Sequence, residues 1–326
     1  MMKEQLEKVD GPTGSPLYKI KNETPIQNAT LRFIHSAWGT IRNGKIPPFF
    51  PGPQPISIER QHFSFLKQNE YYACEKTDGV RYMCVTFKYE ETKLCVLVNR
   101  RLDMFLLPLN LPKKSYDGTI LDGELVQNNK NSKWYFLVYD AVLVEGENVR
   151  ELGLVERLTK ANSVAGGIRK LSKDPVIVKM KNFQKMNNLK NFCENHLEKM
   201  DFNTDGLIFT PVKDPIRVGT HETLFKWKPR DKNTIDFQLV YREKSWGLYI
   251  QDKGKLFFQS EISHQRAPDW FFDRGIVECS YDRENFKWIP NGLRTDKTYP
   301  NNRRTFYRTM VNISENIQTS EFYNLV

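Results

Sequence analysis

Several features that mark other classes of protein are missing from this chain of 326 residues. It has only five cysteines, an odd number, and none of them shows the CxxC spacing of a zinc site. No run approaches the roughly 18 apolar residues of a transmembrane helix, and the opening segment MMKEQLEKVDGPTGS lacks the apolar core of a secretion signal. We therefore expect a soluble intracellular protein whose cysteines are buried thiols in a reducing compartment.

Positive charge is in excess, with 49 Lys and Arg against 39 Asp and Glu. A net charge of +10 favours a polyanionic partner such as RNA, DNA or a nucleotide, although an excess of this size on so long a chain also fits a role in solubility alone. Because single hydrophobic cores stop growing near about 250 to 300 residues, the length favours two domains.

The apolar patterning predicts an α+β fold with mainly antiparallel sheets, because strands and helices mix without a regular βαβ alternation. Helices are expected at 31–42, 151–163, 187–200 and 311–326, and strands at 71–76, 81–88, 93–99, 119–126, 134–144, 206–212 and 222–228. Short strands with turn signals follow from about residue 233 and suit a small barrel. We expect a first domain over 1–232, a barrel domain over 233–310, and a final helix over 311–326 that packs back on the first domain.

The run EKTDGVR is the most informative segment of the chain. A lysine attacks a phosphate only as the free amine, and because the reference pKa of lysine is about 10.4, this use requires desolvation or a cationic neighbour such as Arg81. Asp78-Gly79 between two strand-like runs predicts a tight hairpin. This hairpin would place Lys76 at a strand end, facing a pocket, although a solvated hairpin tip could have the same sequence.

Three further segments place carboxylates on predicted strands. In LDGELV, strand alternation puts Asp122 and Glu124 on one face, which is costly in a half-buried strand unless they bind a sugar hydroxyl, a cation or a metal. Asp140 interrupts the apolar run YFLVYDAV, next to Tyr139, whose ring could stack on a nucleobase or simply pack in the core. Asp205 opens a strand through a glycine, which suits a metal-binding or phosphate-facing carboxylate or a plain turn.

Two segments place cations close together. In LFKWKP, a period of two puts Lys226 and Lys228 on one face, where they repel each other unless an anion such as a nucleotide α-phosphate lies between them. In WIPNGLRTDKTYPN, a loop rimmed by glycine and proline groups Arg294, Asp296 and Lys297. Such a loop could bind a polyphosphate or be ordinary surface.

The order of these segments is more specific than any one of them. Lys-x-Asp-Gly-x-Arg, Asp-Gly-Glu, aromatic-Asp, Asp-Gly-Leu-Ile-Phe, Lys-Trp-Lys and Arg-x-Asp-Lys follow one another as in the covalent nucleotidyltransferases. From about Pro51 to Asn301 the chain resembles the mRNA capping enzyme guanylyltransferases. The segment LFKWKPRDKNTIDF, the Arg294–Lys297 loop and the lead-in PGPQPISIER favour capping enzymes over the related ligases. The length most resembles the small single-function enzymes of large DNA viruses.

The resemblance implies a nucleotidyltransferase domain of antiparallel sheets flanked by helices, followed by an OB-fold β-barrel domain. It also implies a two-step reaction. Lys76 attacks the α-phosphate of GTP and expels pyrophosphate, and the resulting lysyl-GMP is passed to the 5′-diphosphate end of RNA, which forms the GpppN cap.

The resemblance assigns roles to individual residues. Lys76 is the nucleophile, Lys226 and Lys228 hold the α-phosphate, and Arg294 and Lys297 contact the β- and γ-phosphates. The remaining GTP-binding positions are Thr77, Arg81, Arg100, Glu124, Tyr139, Lys181, Asp236 and Asp296, among which Tyr139 would stack on guanine, Lys181 would contact its O6 atom, and Arg81 and Glu124 would contact ribose. Tyr139 replaces the phenylalanine that is frequent in the family, a change that preserves stacking.

A divalent ion, Mg²⁺ or Mn²⁺, is implied by the hard oxygen ligands and the triphosphate, with Asp205 and Glu124 as its expected ligands. The triphosphatase, the cap methyltransferase and the transcription machinery are expected to be other proteins, and the site of action to be the nucleus or a viral replication compartment. Two alternatives stay open at this point: an ATP-dependent DNA or RNA ligase, and a catalytically idle RNA-binding module.

Overall fold

The computed structural model describes residues 2–295 and 297–325. Backbone contacts divide the chain into two compact units. The larger unit holds the chain up to Ile56 together with Phe65–Lys226, and the smaller unit holds Ser57–Ser64 together with Trp227–Leu325. Helices and mainly antiparallel strands occur along both units, which confirms the predicted α+β class.

The larger unit is built on two sheets. One has the strand order β1-β2-β7-β6-β5-β8-β9-β10, with β11 parallel to β9, and the other has the order β12-β4-β13-β14-β3. The strands are β1 (Leu6–Asp10), β2 (Pro16–Ile20), β3 (Pro53–Ser57), β4 (Tyr71–Thr77), β5 (Val80–Tyr89), β6 (Thr92–Asn99), β7 (Met104–Leu106), β8 (Thr119–Gln127), β9 (Trp134–Val144), β10 (Glu147–Asn148), β11 (Ile177–Met180), β12 (Gln184–Lys185), β13 (Thr204–Pro211) and β14 (Gly219–Trp227).

Helices cover parts of the larger unit: α1 (Pro25–Trp38), α2 (Phe63–Gln68, which begins in the smaller unit), α3 (Leu154–Gly166) and α4 (Leu189–Asn195). The start of α1 follows from its sequence, because the Thr24 side chain accepts a hydrogen bond from the Gln27 amide and proline occupies the first turn. It ends at Gly39, which has a φ of 65°.

The larger sheet has an apolar core on each face. On one face α1 contributes Ile34 and Trp38 to a cluster with Met83 and Val85 of β5. On the other face α3 packs over Leu121, Leu125 and their neighbours. Since Asp122 and Glu124 alternate with these two leucines, they lie on the α1 face, as the sequence predicted.

The smaller unit contains five antiparallel strands in the order β17-β16-β15-β18-β19, the number expected for an OB-fold. Its hydrophobic core contains Phe237, Leu248 and Phe306. Arg60 donates to Glu321 at 2.9 Å, which ties the Ser57–Ser64 segment to the end of the chain. The elements are β15 (Thr234–Tyr241), β16 (Ser245–Asp252), β17 (Lys255–Ser263), β18 (Ile276–Asp282), β19 (Lys287–Leu293), α5 (Arg303–Glu315) and α6 (Thr319–Tyr323).

Some predicted bounds are wrong. The helix expected at 31–42 is α1 at 25–38, because the Thr24 cap and Pro25 start it early and Gly39 stops it. The helix expected at 311–326 begins at Arg303 and breaks at Asn316, which adopts a left-handed conformation with a φ of 48°, so that α5 and α6 replace it. The strands that were not predicted are β1, β2, β3, β7, β10, β11, β12 and β19. Among the described residues, no helix has both the length and the hydropathy needed to cross a bilayer.

Candidate active site

Lys76 lies near the end of β4, where its side chain meets a carboxylate from the adjacent strand. Its Nζ is 2.6 Å from Oδ1 of Asp205, and the two side chains are 23% and 15% exposed. Lys76 pairs with Gly206 of β13, and the register shifts between Thr204 and Gly206. Such an irregularity changes the direction of a side chain, here that of Asp205, at the strand end. The predicted nucleophile, Lys76, and the predicted metal-linked carboxylate, Asp205, are therefore brought together.

The prediction of a hairpin at Asp78-Gly79 is wrong. β4 and β5 belong to different sheets, and the two residues carry the chain from one sheet to the other. The Asp78 amide donates to the Asn203 carbonyl at 2.9 Å. A Cβ atom at Gly79 would lie 2.6 Å from the Leu125 carbonyl oxygen, so glycine is required by this close approach to β8. The Asp-Gly pair therefore correctly predicted a link that depends on glycine, but β4 and β5, the strands that it joins, do not pair with each other.

Arg81 lies on the α1 face of the larger sheet, where the carboxylate of Asp122 holds it in place. Its Nε and Nη2 atoms donate to the two oxygens of Asp122 at 2.9 and 2.5 Å, and Nη1 donates to the Pro53 carbonyl at 2.6 Å. The Tyr139 hydroxyl donates to Asp122 at 2.9 Å. Burial opposes the charge of Arg81, but the Asp122 carboxylate outweighs it and raises the pKa of the guanidinium. Asp122, to which the resemblance assigned no role, thus fixes two predicted GTP-binding residues, Arg81 and Tyr139.

Three other predicted GTP-binding residues, Thr77, Glu124 and Lys181, form a second buried cluster. Lys181 Nζ is 2.8 Å from the Thr77 hydroxyl and 3.2 Å from Oε2 of Glu124, and Thr77 also donates to Glu124. Burial disfavours the ammonium charge, yet the Glu124 carboxylate raises the pKa of Lys181. Lys181 Nζ also lies 5.5 Å from the Tyr139 ring centroid. The cluster therefore links the strand of Lys76 to the larger sheet.

Arg100 and Lys226 complete the predicted positions in the larger unit. Arg100 follows β6, and its side chain remains exposed; partial desolvation and the nearby charge of Arg81 lower its pKa. Lys226 is half-buried on β14, beside the fully buried Phe225. Lys228 follows the last residue of β14, Trp227, so the alternation that was expected to pair the two lysines on one strand ends between them.

Two buried acids lie in surroundings that the sequence did not predict. Asp140, the anomaly within β9, forms a bidentate ion pair with Arg157 of α3 at 2.7 and 3.0 Å, which explains its place in an apolar strand. Glu75, next to the nucleophile, is buried, and no described residue reaches its Oε2 atom. Burial raises the pKa of Glu75. The sequence could have identified Glu75 as unusual only because it is an acidic residue within a strand, β4, that was predicted to be buried.

The smaller unit has its own charged cluster around Asp236. Arg294 Nη1 lies 3.1 Å from Oδ1 of Asp236, and Lys297 Nζ contacts the other carboxylate oxygen. Asp236 is buried, whereas both cations are partly exposed. Two positions predicted to bind phosphate, Arg294 and Lys297, thus converge on the predicted GTP-binding residue Asp236, while Asp296 lies outside the described residues.

The donor set around Asp205 fits a divalent ion that is held mainly by substrate. Mg²⁺ is usually bound through one or two carboxylates and phosphate oxygens rather than by an all-protein cage. Asp205 offers one such carboxylate beside Lys76. The carboxylate of Glu124, in contrast, already accepts a hydrogen bond from the Thr77 hydroxyl and pairs with the Lys181 ammonium. Within residues 2–295 and 297–325 there is no cluster of three or more His, Cys, Asp or Glu side chains suited to a metal.

Comparison with known families gives two adjoining matches. The family model described as mRNA capping enzyme, catalytic domain, matches residues 21–230, and the one described as mRNA capping enzyme, C-terminal domain, matches residues 232–323. Together they reach into both compact units and include every predicted site residue.

Named relatives agree. The mRNA-capping enzyme subunit alpha of Schizosaccharomyces pombe is 26% identical and is matched over 85% of this chain and 80% of its own length. The Neurospora crassa subunit is 30% identical over 83% of each chain, and the Mus musculus mRNA-capping enzyme is 26% identical, with 49% of its length covered. A solved mycobacterial DNA ligase D complexed with ATP and MES matches 76% of this chain and 95% of its own, at a TM-score of 0.46 and 12% identity, too distant to bear on function.

Proposed function

Because this chain belongs to the mRNA capping enzyme family, we propose that it forms lysyl-GMP at Lys76 and passes the GMP to the 5′-diphosphate end of RNA. The family and the enzyme class predicted from sequence are confirmed. The observation that supports the proposed nucleophile is the ion pair of Lys76 with Asp205, at a strand end within the matched catalytic domain. The likeness to the viral form stays a prediction.

In the first step, the Lys76 amine forms an N–P bond with the α-phosphorus of GTP while the bond to the β-phosphate oxygen breaks and pyrophosphate leaves. Asp205 orients Nζ and is placed to accept the proton that the amine must lose. In the second step, a terminal oxygen of the RNA diphosphate attacks the same phosphorus, the N–P bond breaks, and the Lys76 nitrogen leaves as the amine after taking a proton back from Asp205. Such transfers depend mostly on positioning and charge neutralisation.

The two buried clusters of the larger unit would bind the guanosine. Tyr139 supplies the stacking ring, Thr77 and Lys181 contact the guanine edge, and Arg81 and Glu124 contact the ribose. Because carboxylates already hold both cations in place, little reorganisation is needed when the nucleoside binds. Arg100 lies close enough to Arg81 to add positive charge near the phosphates or ribose.

The remaining cations would hold the triphosphate. We propose that Lys226 and Lys228 contact the α-phosphate and that Arg294 and Lys297, kept near each other by Asp236, contact the β- and γ-phosphates, together with the loop that contains Asp296. We also propose that residues 1–232 and 233–310 act as separate catalytic and OB-fold domains, with the segment 311–326 returning to the first.

Nucleotide and a divalent ion follow from the family, and we propose Mg²⁺ or Mn²⁺ with Asp205 as the protein ligand and Glu124 as a second candidate. The ion would neutralise charge on the phosphates. We further propose that separate proteins supply the RNA triphosphatase and cap methyltransferase, and that the enzyme acts where transcripts are made, in the nucleus or a viral replication compartment.

One labelling experiment tests the proposed function. The protein is incubated with α-labelled GTP or ATP and a divalent ion, separated on a denaturing gel, and mapped by peptide mass spectrometry. We expect a covalent label from GTP at Lys76. A label from ATP alone would favour a ligase, and no label from either nucleotide would favour an idle RNA-binding module.

A further inference from the structure

The smaller unit presents two exposed aromatic rings beneath the guanidinium group of one arginine, Arg303. Phe257 of β17 and Tyr307 of α5 are 37% and 51% exposed. The guanidinium carbon of Arg303 lies 5.9 Å from the Phe257 ring centroid and 5.6 Å from that of Tyr307. Lys255 lies on the same side of β17 as Phe257, because alternate strand residues share a face. We call these four residues the α5–β17 surface.

The packing of the unit does not account for this exposure. The adjacent Phe306 is buried and belongs to the core, where it contacts Phe237 and Trp288. Tyr307, one position further along α5, faces outward with Arg303, four residues before it. Exposed aromatic clusters on a strand at the end of a sheet indicate a contact surface rather than a fold requirement.

The charge of the surface indicates what it contacts. Two of its four residues, Lys255 and Arg303, are cations, and α5 has no acidic residue in its first turn; the nearest acid along the strands is Asp252, which pairs with Lys255 across β16 and β17. A partner with negative charge and flat apolar groups would match both the cations and the rings. Single-stranded RNA has both, since its phosphates are anionic and its unpaired bases stack on aromatic side chains.

We propose that the α5–β17 surface binds single-stranded RNA, with unpaired bases on Phe257 and Tyr307 and phosphates on Lys255 and Arg303. The inference rests on the proposed function, which requires an RNA substrate. Stacking and charge recognise a strand without reading its sequence, as an enzyme that caps transcripts of many sequences requires. An acidic peptide would satisfy the cations and leave the two rings unmatched.

The test measures RNA affinity of the double variant Phe257→Ala/Tyr307→Ala in the full chain. Fluorescence anisotropy with a single-stranded 5′-diphosphate RNA should show a dissociation constant raised at least about tenfold, since each stacked base contributes substantially. Affinity for a blunt RNA duplex should change much less, because its bases are already stacked. For Arg303→Gln we expect the slope of log affinity against log salt to decrease by about 0.7, the loss of one phosphate contact.

Three controls isolate the effect. Phe286→Ala removes a ring that is 80% exposed in the same unit, between β18 and β19 at the opposite end of the strand order, and should leave RNA affinity unchanged. Phe257→Tyr/Tyr307→Phe keeps both rings and should bind as the wild type does. Lysyl-GMP formation from GTP, which needs no RNA, should be normal in every variant.

The outcomes separate the two proposals. Wild-type RNA affinity in the double variant overturns the RNA surface, as does an equal loss for single-stranded and duplex RNA. A concentration-dependent dimer that the double variant abolishes, with RNA affinity intact, would assign the surface to a second copy of the chain. Absence of lysyl-GMP in the wild type would instead contradict the proposed function, whatever the RNA affinities are.

Discussion

The two charged regions differ in how deeply their cations are buried. In the larger unit Arg81 and Lys181 are buried, and each has a carboxylate of its own, Asp122 and Glu124. In the smaller unit two partly exposed cations, Arg294 and Lys297, both pair with Asp236, and Arg294 also lies 3.6 Å from the partly exposed carboxylate of Glu278. A buried charge is tolerated only when it is paired, whereas partly exposed cations stay hydrated and can also be reached by a ligand. The first arrangement suits the neutral base and sugar, and the second suits phosphates.

The largest effect is expected at Lys76. Lys76→Arg keeps a cation for Asp205 but provides a poor nucleophile, so covalent labelling from GTP should be abolished while the fold is preserved. Label on a denaturing gel and the urea midpoint of unfolding measure the two properties. A labelled Lys76→Arg protein would contradict the assignment of the nucleophile.

The next largest effect separates the two steps and tests the role of the smaller unit. Arg294→Ala removes one cation that we assign to the leaving pyrophosphate, and lysyl-GMP formation should slow by about 10²- to 10³-fold, as when one charge-stabilising group is lost. Transfer of GMP from preformed lysyl-GMP to RNA should stay near normal. Equal losses in both steps would show that the two regions do not divide the chemistry in this way.

A matched pair of truncations tests the difference in burial. Glu124→Ala leaves Lys181 buried without its carboxylate and should lower the free energy of unfolding by about 3–5 kcal/mol. Asp236→Ala leaves cations that reach solvent, so its cost should be clearly smaller. Urea denaturation of the two variants measures both values. Equal losses of unfolding free energy in the two variants would contradict the proposed difference in burial between the two clusters.

The smallest effect is a pH dependence at Glu75. Because burial raises the pKa of Glu75 above its ordinary value of 4.5, the folded state holds the proton more tightly than the unfolded chain. The stability of the wild type relative to Glu75→Gln should therefore be greatest below about pH 4.5 and fall as the pH rises through the folded pKa. Unfolding free energies of both proteins across this range measure the difference, and a difference independent of pH would contradict the raised pKa.

Much of the larger unit could be predicted from the sequence because its strands bury alternating or continuous apolar residues. The bounds of β8 and β9 match within one residue, and the acids of LDGELV lie on the predicted face. Local signals failed where tertiary packing decides. Nothing near Asp78-Gly79 shows that β4 pairs with β13 and β5 with β6 and β8 rather than with each other, and a turn signal alone favours a hairpin.

Partners of the site residues were harder to predict than the residues themselves. Asp122 was expected to bind a sugar hydroxyl, a cation or a metal, and it binds the cation Arg81, 41 residues away. Arg157 gave no signal at all, because an arginine in a helical pattern is usually exposed, and only the packing of α3 on β9 brings it to Asp140. Long-range pairing of this kind depends on the assembled fold.

The two-residue crossover at Asp78-Gly79 has a consequence for heating. Since it joins the strand of Lys76 directly to β5, and Gly79 lies against β8 with no room for a side chain, neither sheet can separate from the other without moving the nucleophile away from Glu124. Partial melting of one sheet would therefore abolish catalysis at once. Thermal inactivation should accordingly follow the same temperature curve as unfolding of the larger unit, with no inactive but folded intermediate between them.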